Sequence, residues 1–293
     1  IGLGPNGDGP SIASFTAINT GTSPVYADIT VMPTFNNESK DCIGLPETFR
    51  ITVNPTGQVN GVSNQVLCNG SFSAPVIFGT THTGGLTTYS WVNDTPSIGL
   101  SASGTGNIGP FAAFNATTSP VTAVLTVTPH FSNGGTTCDG PAETFSITVN
   151  PTSTGVATPS TQTFCSGLSA NVGFTSPVAG TTFWWPAPVI TGPLGAGSVT
   201  GAGSRPSPGS TGPLTDALTN VTAGIATVTY TITPRANDCD GTPFTVVITV
   251  NPKPVLRTGL TQNLCEGVSA NLQLRTFPSM GSNVSFNWPA PTL

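Results

Sequence analysis

The chain has 293 residues, of which 37% are hydrophobic and only 6% charged, for a net charge of −5. That length suits two or three domains, and abundant Val, Ile, Phe and Thr with so few charges exclude a charge-rich disordered polymer. Seven Lys and Arg in all exclude a basic patch for nucleic acid, and no apolar run is long enough for a membrane-spanning helix.

The chain opens on IGLGPNGDGP, without an initiator Met, a basic segment or an apolar leader, so no signal peptide is visible. From Ile1 the sequence matches the stretch that begins at Ile98, and it runs to ETFRITVNPT at Glu47–Thr56. The same strand returns as ETFSITVNPT at Glu143–Thr152 and as FTVVITVNPK at Phe244–Lys253. Asn54-Pro55, Asn150-Pro151 and Asn251-Pro252 are spaced by 96 and 101 residues. A period near 100 is too long for a solenoid repeat, so each unit is expected to be a whole domain. The boundaries predicted are 1–55, the C-terminal part of a repeat; 56–151 and 152–252, two complete repeats; and 253–293, the N-terminal part of a fourth. Ends that fall in mid-repeat read as a window on a longer tandem array.

The strands are clearest in the 152–252 repeat. TQTFC and ANVGFTS are predicted to form a hairpin about Ser166-Gly167. TTFWW follows, then a Gly/Pro/Ser-rich loop from Gly192 to Gly212, then DALTNV, IATVTYTIT and FTVVITV. In IATVTYTIT, Ala226, Val228, Tyr230 and Ile232 fall on one face and threonines on the other. No segment has a capped helical period. About seven short strands in 100 residues predict an all-β chain of immunoglobulin-like sandwiches in tandem. Asn-Pro ends the last strand of each, because Pro cannot donate to a ladder, and short Pro-containing linkers predict a semi-rigid rod.

Trp91, Trp185 and Trp288 recur at one place in the repeat, where a tryptophan plugs the space between two sheets. Trp184 alternates with Trp185 and is expected to face outward as a surface contact.

Each repeat owns one cysteine after its first strand and one in its last loop: Cys42, Cys68, Cys138, Cys165, Cys239 and Cys265. With no CxxC or CxxxH, disulfides in an oxidising compartment are expected rather than zinc. Pairing within a repeat, Cys68–Cys138 and Cys165–Cys239, is the simple arrangement. Sandwich topology puts those partners at opposite ends, too far apart for a disulfide. The favoured pair is therefore Cys68–Cys239, a staple across the joint, with the other four linked to units outside the sequence.

Other motifs read as local structure. GTGNIG at Gly104–Gly109 fits GxGxxG, but Pro110 and a β-rich run follow it where a helix should open. His82 and His130 stand alone, and no pair of carboxylates recurs. Asp238 and Asp240 in NDCDG are the one calcium candidate, against a plain polar turn. N-x-S/T sequons occur at Asn37, Asn69, Asn93, Asn115, Asn220 and Asn283. No cofactor or catalytic residue is predicted.

TQTFCSG, TVTYTITP with its C-x-G, and ITVNPKP together resemble the PKD-like/Ig-like tandem repeats of giant Bacteroidetes surface adhesins, the gliding-motility adhesins among them. The resemblance spans essentially the whole chain. It implies a non-enzymatic, extracellular cell-surface filament exported by type IX secretion, whose partners are neighbouring repeats, polysaccharide or solid surfaces, and the gliding or secretion machinery. The alternatives are spacer or carbohydrate-binding modules of a secreted polysaccharide-degrading enzyme, or the subunit of a strand-donating fibre.

Overall fold

The structure, a computed structural model, describes every residue except 39, 258, 278–283 and 293. The sequon at Asn283 lies outside the described residues. Among those described, the regular structure is strand, with two short 3₁₀ turns, Pro96–Ile98 and Gly195–Ser198. The chain forms two compact units. One comprises 1–116 with 120–150; the other comprises 117–119 with 151–293.

In the first unit the main sheet runs in the order Gln65–Cys68, Glu143–Asn150, Val121–Asn133, Leu86–Asn93, Ser103–Thr105. The strand ending in Asn150 lies between an antiparallel neighbour, Val121–Asn133, and a parallel one, Gln65–Cys68. The facing layer is less regular and is held by the bridges Phe72–Ala112 and Val76–Ile108. Period-two alternation sends Ala123, Leu125 and Val127 of the long strand inward at 0% exposure. They meet Val76, Ile98 and Ile108 from the facing layer.

The second unit repeats the plan in the order Thr161–Cys165, Phe244–Asn251, Ala226–Ala236, Thr182–Trp185, Arg205–Ser210. Ala226, Val228, Tyr230 and Ile232 all lie in its core, against Val172, Leu214 and Leu218 of the facing layer. The chain is all-β and its repeats are β-sandwiches.

One predicted element is corrected. Thr161–Cys165 does not form a hairpin with the segment that follows. It pairs in parallel with Val247–Asn251, whereas Gly173–Thr175 pairs with Val156–Thr158 in the other layer. Gly167, at φ 89, turns the chain from one layer to the other, and its N–H is satisfied by the Leu218 carbonyl at 2.8 Å. A crossing between sheets and a hairpin share the same turn residues, so local sequence could not separate them.

One further motif gains a cause. Gln162 Nε2 donates to the Asn171 carbonyl and its Oε1 accepts the Asn171 N–H, both at 3.0 Å. Gln65 clamps Ala74 in the same way, and Gln262 Oε1 accepts from Asn271 N–H. The recurrent Gln thus ties the first strand to the segment nine residues on, across the change of layer.

Candidate functional site

The cysteines mark the two ends of each sandwich. In the first unit Cys68 lies beside Asn150, where the chain leaves the sheet. Cys138 lies opposite Phe131 in the far hairpin, and its carbonyl accepts the N–H of Gly57, close after Asn54-Pro55. About eleven residues of the long strand separate these levels, roughly 35 Å at ~3.3 Å per residue. The second unit matches: Cys165 lies beside Asn251, and Cys239 lies opposite Ala236. The nearby Thr242 N–H reaches the carbonyl of Ser153, close after Asn150-Pro151. Cys68 and Cys239 are disulfide-bonded, whereas Cys138, Cys165, Cys42 and Cys265 are free thiols. Neither within-repeat pair is therefore formed.

Within the first unit, the stretch that ends in the first Asn-Pro contacts the sheet that follows it in the chain. Asn54 of the first Asn-Pro donates from Nδ2 to the Asn133 carbonyl at 3.0 Å. Asn133 Nδ2 donates back to Asn54 Oδ1 at 2.9 Å. The Thr83 N–H donates to the Thr22 carbonyl at 2.8 Å. The Asn of Asn-Pro thus ties its strand end to the end of Val121–Asn133 as well as terminating the strand.

Three asparagines missed as a set hold the strand that ends each repeat. Asn19, Asn115 and Asn220 each donate from Nδ2 to the valine carbonyl just before Asn-Pro, namely Val53, Val149 and Val250, at 2.7–2.8 Å. Asn115 and Asn220 are buried, as is Asn93, whose Nδ2 donates to the Leu100 carbonyl. These three sequons are structural anchors whose amides face inward. The signal that could have identified Asn19, Asn115 and Asn220 is their placement 35, 35 and 31 residues ahead of Asn54, Asn150 and Asn251.

On the outer face of the second unit's sheet, Trp184 is half-buried and donates from Nε1 to Asp240 Oδ1 at 3.3 Å. Arg235 holds the same carboxylate at 2.9 Å and reaches Asp238 at 3.4 Å. These contacts raise the Arg235 guanidinium above its ordinary value, chiefly through the hydrogen bond to Asp240. The two calcium candidates are thus both turned to Arg235. Among the described residues no group of three or more His, Cys, Asp or Glu gathers for a metal.

The first unit places Ser90, His130 and Asp139 at the corresponding positions. His130 is not alone: its Nε2 meets Ser90 Oγ at 2.8 Å and its Nδ1 meets Asp139 Oδ1 at 2.5 Å. The order of groups is that of a serine hydrolase, but Trp184, Arg235 and Asp240 build the same brace in the next repeat with no nucleophile. The shared feature is a polar tie from the central strands to the hairpin.

Trp91 and Trp185 are buried, at 7% and 3% exposure. Trp185 Nε1 donates to the Gly203 carbonyl, and the Arg205 guanidinium stacks 4.1 Å from its ring centroid. Beside it, Tyr230 OH donates to Asp216 at 2.7 Å. Trp288 departs from the expectation of a core plug, at 76% exposure. Among the described residues around it, the only pairing is that of Val255–Leu256 with Thr276–Phe277, and no opposed sheet is there for an indole to enter.

A PKD-like domain model matches residues 162–254. No curated protein matches the chain. Among solved structures it is similar to protocadherin gammaB7 EC3-6, at 12% identity and TM-score 0.36, over 77% of this chain and 60% of that one. It is similar to the FN1-FN3 domains of chicken CNTN1 at 12% identity and TM-score 0.30, over 76% of each chain. Human CDH23 EC21-23 aligns at 10% identity and TM-score 0.32, over 73% of this chain and 82% of that one. The chain thus spans 60% of the protocadherin segment's length.

Proposed function

We propose that this chain is a non-enzymatic run of PKD-like repeats from an extracellular surface adhesin, acting as a stalk whose successive sandwiches are cross-linked through disulfides. The carrying observation is the distribution of sulfur chemistry. The disulfide-bonded Cys68 lies at the end where the chain leaves the first complete repeat. The disulfide-bonded Cys239 lies at the end where the chain enters the second. Their partners within a repeat are free thiols at the far ends. A Cys68–Cys239 link would close the joint, and Cys42, Cys138, Cys165 and Cys265 would make the same link to further repeats. Disulfides of this kind belong to an oxidising, extracellular setting.

The four-part division at 55, 151 and 252 belongs to this reading, as does assignment to a giant Bacteroidetes-type adhesin. That assignment rests on the resemblance of the repeat motifs. Trp184, half-buried on an outer sheet face, is the contact we assign to polysaccharide, where many weak sites on one filament sum by multivalency.

A non-reducing peptide map decides the joint. The expected product is one peptide pair joining Cys68 to Cys239. Recovery of Cys68 linked to Cys138 would refute the cross-linked stalk.

A further inference from the structure

In both complete repeats the strand that ends at Asn-Pro lies between two neighbours. One is the long antiparallel strand. The other is the parallel first strand: Gln65–Cys68 beside Ile147–Asn150, and Thr161–Cys165 beside Val247–Asn251. Among the described residues Glu47–Val53 has only its antiparallel neighbour, Val25–Val31. The side that takes the parallel strand elsewhere is bare. So is the face that would meet a second layer. Val31 and Phe49 stand where Val127 and Phe145 stand in the equivalent ladder. Yet Val31 is 44% and Phe49 41% exposed, against 0% and 4% for their counterparts.

Residues 253–293 carry the complementary set. TQNLC at Thr261–Cys265 matches TQTFC at Thr161–Cys165. The turn and the clamp that follow this strand are already formed: Gly267 at φ 79 matches Gly167 at φ 89, and Gln262 Oε1 accepts the Asn271 N–H as Gln162 Oε1 accepts that of Asn171. No strand lies beside Thr261–Cys265 among the described residues. Leu272 takes the place of the fully buried Val172 but is 47% exposed, and Trp288 takes that of Trp185. Between them, 253–293 and 1–55 hold one of each repeat landmark: the Thr-Gln strand, its clamp, the core Trp, the anchor Asn19, the loop Cys42 and Asn54-Pro55.

We propose that the bare side of Glu47–Val53 is the docking site for Thr261–Cys265 of a second copy of this chain, so that copies join head to tail through one sandwich built from two polypeptides. The register of the second repeat, carried across the shared Asn-Pro, sets Thr261 beside Arg50, Gln262 beside Ile51, Leu264 beside Val53 and Cys265 beside Asn54. The Asn54 carbonyl would accept the Glu266 N–H, as the Asn150 and Asn251 carbonyls accept those of Asn69 and Ser166 at 2.9 and 2.8 Å. Main-chain pairing along the open edge supplies affinity. Enclosing Leu272 and Trp288 in one core with Val31 and Phe49 removes apolar surface from water on both copies. Such a heterologous contact repeats along a line.

The four free thiols also argue for a second copy as the occupant. In the cross-linked stalk, the first-strand cysteine of one repeat links to the loop cysteine of the next. The shared sandwich would follow the 152–252 repeat of one copy and precede the 56–151 repeat of the other. It would bring Cys165 to Cys42 of the second copy, and Cys265 to Cys138 of the second copy, which uses every free thiol. This thiol pairing rests on the cross-linked-stalk reading; the strand docking does not.

Sedimentation velocity of the full chain in reductant tests the docking by itself. The mass is expected to climb through whole multiples of the single chain as concentration rises. Leu264→Lys and Trp288→Lys change side chains that are exposed in the free chain, so both complete repeats keep their cores. Each is expected to weaken the association at least about tenfold. A single-chain mass at every concentration up to about 100 μM, or association undiminished in either variant, would overturn the proposal. Oxidation of the same sample with glutathione disulfide then tests the thiols, each protein disulfide forming as one glutathione disulfide is reduced to two glutathiones. Peptides joining Cys42 to Cys165 and Cys138 to Cys265 are expected in the multimer. Other pairs, from a chain that still forms multimers in reductant, would overturn the cross-linking while upholding the docking.

Discussion

Asn220 shows how much one buried amide can carry. Its Nδ2 donates to the carbonyls of Val250 and Gly224, and its Oδ1 accepts from the Thr222 N–H and hydroxyl. Asn220→Ala would orphan those groups in a dry setting. We expect a loss of about 1–3 kcal/mol, read as a lower midpoint in denaturant, whereas Asn37→Ala on the exposed hairpin should leave the midpoint unchanged. Tyr230 behaves differently, through protonation. Burial first, then Asp216, pushes its phenol far above the ordinary value. The folded state therefore keeps a proton that the unfolded chain releases near pH ~10. The stability this gives is complete below that pH and declines as pH rises beyond it. Denaturant titrations from neutral to strongly alkaline pH should show a steep alkaline loss for the native chain, and Tyr230→Phe should flatten it.

At the scale of elements, each repeat is governed by how its loops are allowed to approach the tryptophan. Gly104 passes over Trp91 so closely that an added Cβ would lie 2.2 Å from Cζ2 of the ring. Its counterpart opposite Trp185 is Arg205, which instead stacks its guanidinium on the indole. Gly104→Ala should therefore overpack the first repeat and cost about 1–3 kcal/mol, measurable by chemical denaturation. The glutamine clamp acts at the same scale. Gln162→Ala removes two bonds that hold the change of layer, and hydrogen–deuterium exchange should rise locally at Asn171 and along Thr161–Cys165. An unchanged exchange pattern would show that the pairing with Val247–Asn251 alone holds that strand.

For the whole molecule, the expectation is mechanical. If Cys68 and Cys239 form one link, Cys68→Ser and Cys239→Ser should lower the thermal midpoint by the same amount, and the double variant no further. Unequal single effects would separate the two sulfurs. Reduction of the native chain should reproduce either variant, because a disulfide acts largely on the freedom of the unfolded chain.

The repeats, the all-β class, the inward face of Ala226, Val228, Tyr230 and Ile232, and the stop at Asn-Pro were all legible in the residues. Each depends on local periodicity or on the missing N–H of proline, which act over a few positions. Other features required the tertiary structure: Thr161–Cys165 pairing in parallel with a strand some eighty positions away, Asn54 meeting Asn133, buried sequons, and His130 held between Ser90 and Asp139. Those contacts join segments distant in sequence, and a turn residue such as Gly167 serves a hairpin and a crossing between sheets equally well. What the chain dictates locally is which face of a strand is apolar; which strand lies beside it is decided only when two layers close on one core.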